Sequence, residues 1–179
     1  MAADLALIDP NLRKLLVKLR DRCRAEGFEM RPSAGLRSPA EQAKLWRQSR
    51  SLEEISAKII DFRAKDANFL ADCIEKVGPQ HGDHVTDAPP GLSWHQWGEA
   101  VDCFWLLNGK AEWSTTRLVN GRNAYKVYAS IATELGLTAG GNWKTLKDWP
   151  HIQLRADRNP EMKLSIVEID REMKSRFGS

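Results

Sequence analysis

Two histidines and one aspartate in the second half of the chain could bind a single metal ion. His95 and Asp102 lie in the segment Ser93–Asp102, and His151 follows the segment Asp148–Pro150. Two neutral imidazoles and one carboxylate leave a zinc ion with about one net positive charge and an open coordination position, as in many catalytic zinc sites. A structural zinc site more often has four ligands, typically with cysteines among them. These residue types therefore favour a hydrolytic zinc centre.

Each of the three residues also has an ordinary structural explanation. A single histidine, such as His95 or His151, is more often a packing or hydrogen-bonding residue than a metal ligand. Asp102 lies in an apolar run between Val101 and Phe104, where an unpaired carboxylate is costly. Its partner could be a metal ion, an arginine, or solvent at an exposed strand edge. Spacing alone leaves these alternatives open.

Two further residues could take part in hydrolysis. Asp148 precedes His151 in a predicted turn, and its carboxylate could take a proton from a zinc-activated water and pass it to a leaving amine. The alternative for Asp148 is a turn-capping role. Arg37 follows a predicted strand, where its guanidinium could hold a substrate carboxylate or stabilise a developing oxyanion. The alternative for Arg37 is an ordinary surface position.

The remaining histidines and the tryptophans are less informative. His81 and His84 form an HxxH pair in a predicted loop, and without a third ligand they favour a solvent-exposed pair. Four of the seven tryptophans are close in sequence to the proposed site, and they are either core residues or the apolar wall of a groove. These four are Trp94, Trp97, Trp143 and Trp149.

Composition limits the classes of function. The formal net charge is only +3, which is too small to argue for nucleic-acid binding without a clustered basic face. No apolar run approaches the roughly 18 residues of a membrane helix, and the N-terminus lacks the pattern of a signal peptide. Three widely spaced cysteines argue against a disulfide framework. We expect synthesis in the cytoplasm and, for any role outside it, release by lysis or non-classical export.

The elements that must position these residues predict one α+β domain over residues 1–179. Helix starts follow from caps with proline at the first helical position. In chain order we predict a helix from Asp9-Pro10 to Gly27, a strand at Phe28–Leu36, a helix from Ser38-Pro39 through Trp46, helices within Ser51–Val77, a loop at Gly78–Leu92, a buried strand at Ala100–Leu107, a turn at Asn120-Gly121, a helix at Ala124–Leu135, paired strands at Gly140–Trp143 and His151–Leu154, and a helix at Met162–Phe177.

Three motifs resemble signatures of one family of zinc peptidases. This family includes VanY-type D-alanyl-D-alanine carboxypeptidases and phage L-alanyl-D-glutamate endopeptidases, and the resemblance spans about Phe28 to Leu154. The matching residues are Ser93, His95, Gly98, Ala100 and Asp102 for the SxHxxGxAxD signature, Asp148–His151 for the second signature, and Gly35–Gln42 for the upstream arginine motif.

The resemblance implies a fold and a set of roles. The fold would be hedgehog/DD-peptidase-like, with a small antiparallel sheet flanked by helices. Asp148 would be the general base, where many relatives carry glutamate, and Arg37 would face the substrate. The other implied roles are zinc binding by His95, Asp102 and His151, and substrate binding by Arg37, Ser93 and Gln42.

The expected function is zinc-dependent hydrolysis of peptidoglycan stem peptides. We expect an L-alanyl-D-glutamate endopeptidase of endolysin type that acts as a monomer on the bacterial cell wall. One alternative is a D-alanyl-D-alanine carboxypeptidase, for which Arg37 would bind the terminal carboxylate. A second alternative is a non-catalytic module that keeps zinc and binds the wall, although the presence of Asp148 argues against it.

Overall fold

The computed structural model describes residues 3–178, which form six α-helices and a five-stranded antiparallel sheet. The chain forms two compact units, and each unit combines two separate segments of sequence. The helices are α1 (Pro10–Ala25), α2 (Pro39–Arg47), α3 (Leu52–Ala64), α4 (Asn68–Lys76), α5 (Ala124–Glu134) and α6 (Ile166–Phe177). The strands are β1 (Glu29–Ala34), β2 (Ala100–Leu107), β3 (Lys110–Glu112), β4 (Thr138–Ala139) and β5 (His151–Gln153).

The first unit contains the sheet and two of the helices. It comprises the residues up to Leu36 together with Trp97–Ala156. The strand order is β1-β2-β5-β4, and β3 pairs with β2. Helices α1 and α5 pack against each other and contact the edge strands β1 and β4, respectively. Their apolar side chains share one core with Val101, Trp105 and Ile152 of the sheet. This arrangement confirms the predicted α+β class with a small antiparallel sheet and flanking helices.

The second unit is helical. It comprises Arg37–Gln96 together with the residues from Asp157 onwards. Helix α4 lies at its centre and contacts α2, α3 and α6. Leu70 and Ile74 of α4 are completely buried. The segment between α4 and the short 3-10 helix at Trp94–Trp97 has no helix or strand, which confirms the predicted loop at Gly78–Leu92.

Most predicted helix starts are confirmed by their caps. The Asp9 carboxylate accepts hydrogen bonds from the backbone of Asn11 and Leu12. Ser38 forms a capping box with Glu41, in which each side chain bonds the other residue's backbone N–H. The predicted turn at Asn120-Gly121 is also present, with positive φ angles of 52° and 74°. Such angles suit a tight two-residue turn.

Three elements differ from the prediction. The strand predicted at Gly140–Trp143 is wrong, because Gly140–Asn142 forms a 3-10 helix and the strand β4 lies just before it. The C-terminal helix begins at Ile166 rather than Met162, because Ser165 supplies its capping box. The short strand β3 was not predicted. It pairs with the end of β2 and carries little hydrophobic pattern of its own.

The residues described include no helix with both the length and the apolar character needed to cross a lipid bilayer. Each compact unit is assembled from two stretches of chain that are distant in sequence, so neither unit corresponds to a continuous N-terminal or C-terminal half. The expectation of one domain over residues 1–179 stays a prediction.

Replacement of Asp170 should destabilise the helical unit. Helix α4 begins at a cap residue, Ala67, that provides no side-chain hydrogen bond. The buried Asp170 carboxylate of α6 instead accepts a 2.8 Å hydrogen bond from the Leu70 backbone N–H. We expect Asp170→Ala to lower the free energy of unfolding by about 1–3 kcal/mol, because a buried donor loses its partner. Urea denaturation followed by circular dichroism measures this change.

The matched control is Glu172→Ala on the same helix. Glu172 forms an exposed ion pair with Arg176, and such pairs contribute about 0.3–0.5 kcal/mol. Equal effects of the two substitutions would contradict the capping role of Asp170.

Candidate metal centre

The pairing of β2 with β5 brings Asp102 and His151 together. These residues are direct partners in the antiparallel register, so their side chains lie on the same face of the sheet. His151 Nδ1 is 3.1 Å from Asp102 Oδ1. The His151 side chain is 8% exposed and the Asp102 side chain 21% exposed. Two predicted ligands are therefore neighbours because of strand register.

His95 completes a group that could bind a metal ion. It is buried in the short 3-10 helix Trp94–Trp97. The ligand atoms offered by His95, Asp102 and His151 all lie within 4.8 Å of one another. Ligand atoms bonded to one zinc ion at about 2.0–2.2 Å are roughly 3.5 Å apart in a tetrahedron. The donor set and its spacing therefore fit zinc, with a fourth position left for a substrate or water.

The Asp102 carboxylate favours a cation at Nδ1 of His151. Burial by itself lowers the pKa of His151, but the hydrogen bond and the charge of Asp102 outweigh burial and raise the pKa above its usual value. The charge of Asp148 also contributes to this rise. An environment that stabilises a proton on the ring also stabilises a metal ion bound at the same nitrogen.

The turn that carries Asp148 is held against two glycines. Asp148 donates its backbone N–H to Gly140 O at 3.1 Å, and His151 donates its backbone N–H to Asp148 O at 3.2 Å. A Cβ atom at Gly140 would lie 2.3 Å from Asp148 O and 3.1 Å from His151 Cβ. A Cβ atom at Gly141 would lie 2.3 Å from the Trp149 ring. The two glycines therefore permit this turn to approach closely, and its half-buried Asp148 lies beside a candidate ligand.

The tryptophans near the site have different environments. The Trp143 ring packs on the His151 ring with centroids 5.2 Å apart, as expected for a residue of the wall around the site. Trp94 is buried and donates its indole N–H to Asp157 O, as expected for a core residue. Trp149 packs on Gly141, and Lys147 lies over its ring. Trp94 is therefore a core residue, and the groove-wall role of Trp143 stays a prediction.

A buried amide positions the candidate substrate-binding arginine. Arg37 Nη1 donates to Gln42 Oε1 at 2.9 Å, and the Arg37 backbone N–H donates to His95 O at 3.2 Å. Gln42 is completely buried, and its amide nitrogen donates to Ala88 O at 2.7 Å. This burial argues that Gln42 holds Arg37 in place rather than contacting a substrate itself.

Gln96 extends this hydrogen-bond network within the signature segment. Its amide nitrogen donates to Gln42 Oε1 at 3.0 Å, and its amide oxygen accepts from the backbone N–H groups of Gly91 and Ser93. Ser93 Oγ accepts from the His95 backbone N–H at 3.4 Å. Ser93 and Gln96 thus shape the loop that carries His95, and substrate binding by Ser93 stays a prediction.

The HxxH pair lies outside this group of candidate ligands. His84 Nε2 lies 2.9 Å from Asp87 Oδ1, and its Nδ1 lies 3.4 Å from Ser49 Oγ. His81 is exposed. Within residues 3–178, the metal-capable group contains His95, Asp102 and His151 and includes neither of these loop histidines.

Sequence reasoning missed the buried amides and the close approach at Gly140. Gln96 and Gln153 are almost completely buried, although glutamine is usually exposed. Their sequence signal is weak. Gln96 is only recognisable as the residue after the candidate ligand His95, and Gln153 as the strand residue two positions after His151. The sequence predicts a strand at the glycine pair Gly140-Gly141, whereas in the structure the pair makes room for the turn that carries Asp148.

Comparisons with known proteins identify relatives. The VanY family, described as D-alanyl-D-alanine carboxypeptidase, matches residues 6–140. That range contains His95 and Asp102 and ends before Asp148 and His151. The peptidoglycan L-alanyl-D-glutamate endopeptidase CwlK of Bacillus subtilis (strain 168) is 34% identical over 76 residues. This match covers 41% of the present chain and 46%, less than half, of CwlK.

Solved structures give more distant likenesses. The L-Ala D-Glu endopeptidase ChiX of Serratia marcescens is 22% identical, with a TM-score of 0.47 over 84% of this chain and 83% of ChiX. A mutant of the vancomycin resistance D,D-pentapeptidase VanY from the VanB-type cassette, in complex with Zn(II), is 17% identical, with a TM-score of 0.45 over 94% of this chain and 78% of VanY. The LD-carboxypeptidase LdcB is 20% identical, with a TM-score of 0.46 over 96% and 76%.

Gly140→Ala should weaken metal binding. The added methyl group would overlap Asp148 O, and the turn leading to His151 would have to move. Overpacking of this kind costs about 1–3 kcal/mol, so we expect the zinc dissociation constant to rise about tenfold or more. Competition against a chromophoric chelator measures the constant.

Gly35→Ala is the control, because Gly35 likewise lacks a positive φ and its new methyl group would approach the Ile8 side chain at 3.1 Å and the Asp4 backbone oxygen at an ordinary 3.6 Å. Wild-type zinc affinity in Gly140→Ala would show that the close approach at Gly140 does not matter for the centre.

Proposed function

This chain belongs to the VanY family, described as D-alanyl-D-alanine carboxypeptidase, because that family matches residues 6–140, and we propose that the protein is a zinc-dependent peptidase of peptidoglycan stem peptides. The observation that carries the proposal is the group of His95, Asp102 and His151, whose ligand atoms lie within 4.8 Å of one another. A two-histidine, one-carboxylate set is typical of catalytic rather than structural zinc.

His95, Asp102 and His151 would hold the metal ion. When bound, zinc supplies Lewis-acid chemistry, which polarises the carbonyl of the peptide bond to be cleaved. The three residues would fix the position of the ion, because two of them lie on paired strands and all three are at least partly buried. Their burial also limits the access of bulk water, which strengthens electrostatic interactions at the reacting carbonyl.

Asp148 would be the general base. Its carboxylate is half-buried, and its charge acts on His151. In this role it accepts a proton from the attacking water and transfers the proton to the leaving amine, which contributes typically about 10²–10⁴-fold to the rate. A backbone held by Gly140 keeps this carboxylate beside the centre.

Arg37 would bind the substrate. Its guanidinium is fixed by Gln42, while its backbone bonds the carbonyl of His95. A guanidinium at this place can stabilise the developing oxyanion or form a bidentate bond with a substrate carboxylate. Gln42 would act through Arg37, and Ser93 would act through the loop that carries His95 or by contact with the substrate.

For the bond that is cleaved, we propose the L-alanyl-D-glutamate bond. The similarity to CwlK supports this choice, although the match covers less than half of that relative. The description of the matching family favours a second candidate, cleavage of the terminal D-alanyl-D-alanine bond. A non-catalytic wall-binding module is a third, and Asp148 beside a metal-capable group argues against it. The chain would act as a monomer on the cell wall.

Digestion of purified cell wall distinguishes the candidates. We expect the zinc-loaded protein to release fragments with a new N-terminal D-glutamate, detected by mass spectrometry after labelling of free amines. Removal of zinc with a chelator should abolish the release, and added zinc should restore it. Release of free D-alanine alone would favour the carboxypeptidase, and inertness on every wall fragment would favour the binding module.

Asp148→Ala should separate catalysis from metal binding. We expect zinc content close to wild type and a fall in kcat of about 10²–10⁴-fold, because the general base is lost while the ligands remain. Metal analysis and kinetics on a defined stem peptide measure the two effects. Lys144→Ala, at an exposed position on the same turn, is the control and should retain activity. An active Asp148→Ala variant would remove Asp148 from the mechanism.

A further inference from the structure

Gln153 lies next to the candidate centre and has a buried amide. It is the last residue of β5, two positions after His151, so both side chains lie on the same face of the strand. Only 1% of Gln153 is exposed. Its Oε1 lies 3.0 Å from His151 Nε2. The ring of His151 therefore has one nitrogen beside Asp102 and the other beside Gln153.

The orientation of the Gln153 amide follows from its second hydrogen bond. The Gln153 amide nitrogen is 2.7 Å from Arg155 O, and a carbonyl can only accept. The NH₂ group must therefore face Arg155, and the amide oxygen must face His151. Because an amide oxygen is an acceptor, His151 Nε2 must carry the proton of this hydrogen bond.

The carbonyl of Arg155 is itself held in place. The Arg155 guanidinium binds both carboxylate oxygens of Glu99, one of them at 2.8 Å from Nη2. The Leu154 backbone N–H donates to Glu99 O at 3.0 Å. Glu99 directly precedes β2, whose first residue, Ala100, is the register partner of Gln153. The ends of the two strands thus fix the acceptor that orients the Gln153 amide.

Asp102 and Gln153 compete for the single proton of a neutral His151 ring. The Asp102 carboxylate, 3.1 Å from Nδ1, favours the tautomer with the proton on Nδ1. That tautomer has no lone pair on Nδ1, so this nitrogen could not bind a metal ion. The Gln153 oxygen favours the proton on Nε2, which leaves the Nδ1 lone pair on the side of Asp102. Only this second tautomer lets Asp102 and His151 Nδ1 bind one ion together.

We propose that Gln153 is a positioning residue that holds His151 in the Nε2–H tautomer and so presents Nδ1 to the metal ion. The proposal rests on the proposed function for the identity of the metal, but it concerns binding rather than hydrolysis. Hydrogen-bond partners of metal-binding histidines fix the tautomer and the ring orientation, and their loss commonly costs about 10–100-fold in metal affinity.

Gln153→Met tests the proposal, because methionine has a similar length and no hydrogen-bond acceptor of comparable strength. We expect the zinc dissociation constant to rise about 10–100-fold. Heteronuclear NMR of the zinc-loaded protein should show a slowly exchanging Nε2–H on His151 in the wild type and its loss, or rapid exchange, in the variant. Gln80→Met is the control, since Gln80 also donates its amide to a backbone carbonyl, that of Val77, and lies in the other compact unit.

Gln153→Glu distinguishes an effect on the His151 tautomer from an effect on side-chain packing. Glutamate keeps an acceptor for Nε2–H and loses the donor to Arg155, so we expect zinc affinity within a few-fold of wild type and a retained Nε2–H signal. If Gln153→Met binds zinc as tightly as wild type, the proposal is wrong. It is equally wrong if Gln153→Glu loses as much affinity as Gln153→Met while the control does not.

The outcome is independent of peptidase activity. A wild-type protein that binds zinc, shows the expected effects of Gln153, and cleaves no wall fragment would overturn the proposed function and leave the role of Gln153 standing. A protein that cleaves stem peptides and is insensitive to Gln153→Met in both zinc affinity and NMR would overturn the role of Gln153 alone.

Discussion

The register between β2 and β5 is the constraint on which the candidate metal centre depends. Because Asp102 and His151 are direct partners, a shift of one residue would turn one side chain to the opposite face. Val101 and Ile152 are also partners, and both are completely buried in the core. Such a shift would expose one of these two apolar side chains, at a cost of about 1.5–3 kcal/mol. Hydrophobic burial on one face of the sheet therefore sets the position of the polar pair on the other.

Buried amides hold the side chains of the candidate site in place without adding charge. Gln42 and Gln96 hold Arg37 and the loop that carries His95, and Gln153 holds the ring of His151. Each of these amides is almost completely buried and has partners for both its oxygen and its nitrogen. A buried amide without such partners would be destabilising.

The sequence predicted those elements whose signals are local. The bounds of β2 and the caps at Asp9 and Ser38 follow from apolar runs and side-chain capping. The residue types of the candidate centre were likewise visible in the motifs. By contrast, Gln42 bonds Ala88, which is distant along the chain. The bond of Gln153 to Arg155 and the close approach of Gly140 to Asp148 follow no repeating sequence pattern. The sequence predicts a strand at Gly140-Gly141, whereas in the structure the two glycines leave space for the backbone of Asp148 and the ring of Trp149.

The different supports of the candidate ligands and of Asp148 fit the different tasks proposed for them. Asp102 and His151 belong to paired strands, where backbone hydrogen bonds on both sides limit motion, as a fixed coordination geometry requires. Asp148 lies on a turn and is only half-buried, so its carboxylate can adjust to the substrate and exchange protons with solvent. A general base must first accept a proton and then release it within one cycle. A fully buried strand position would give a more rigid carboxylate but would hinder that exchange, so the turn built on Gly140 is the better place for it.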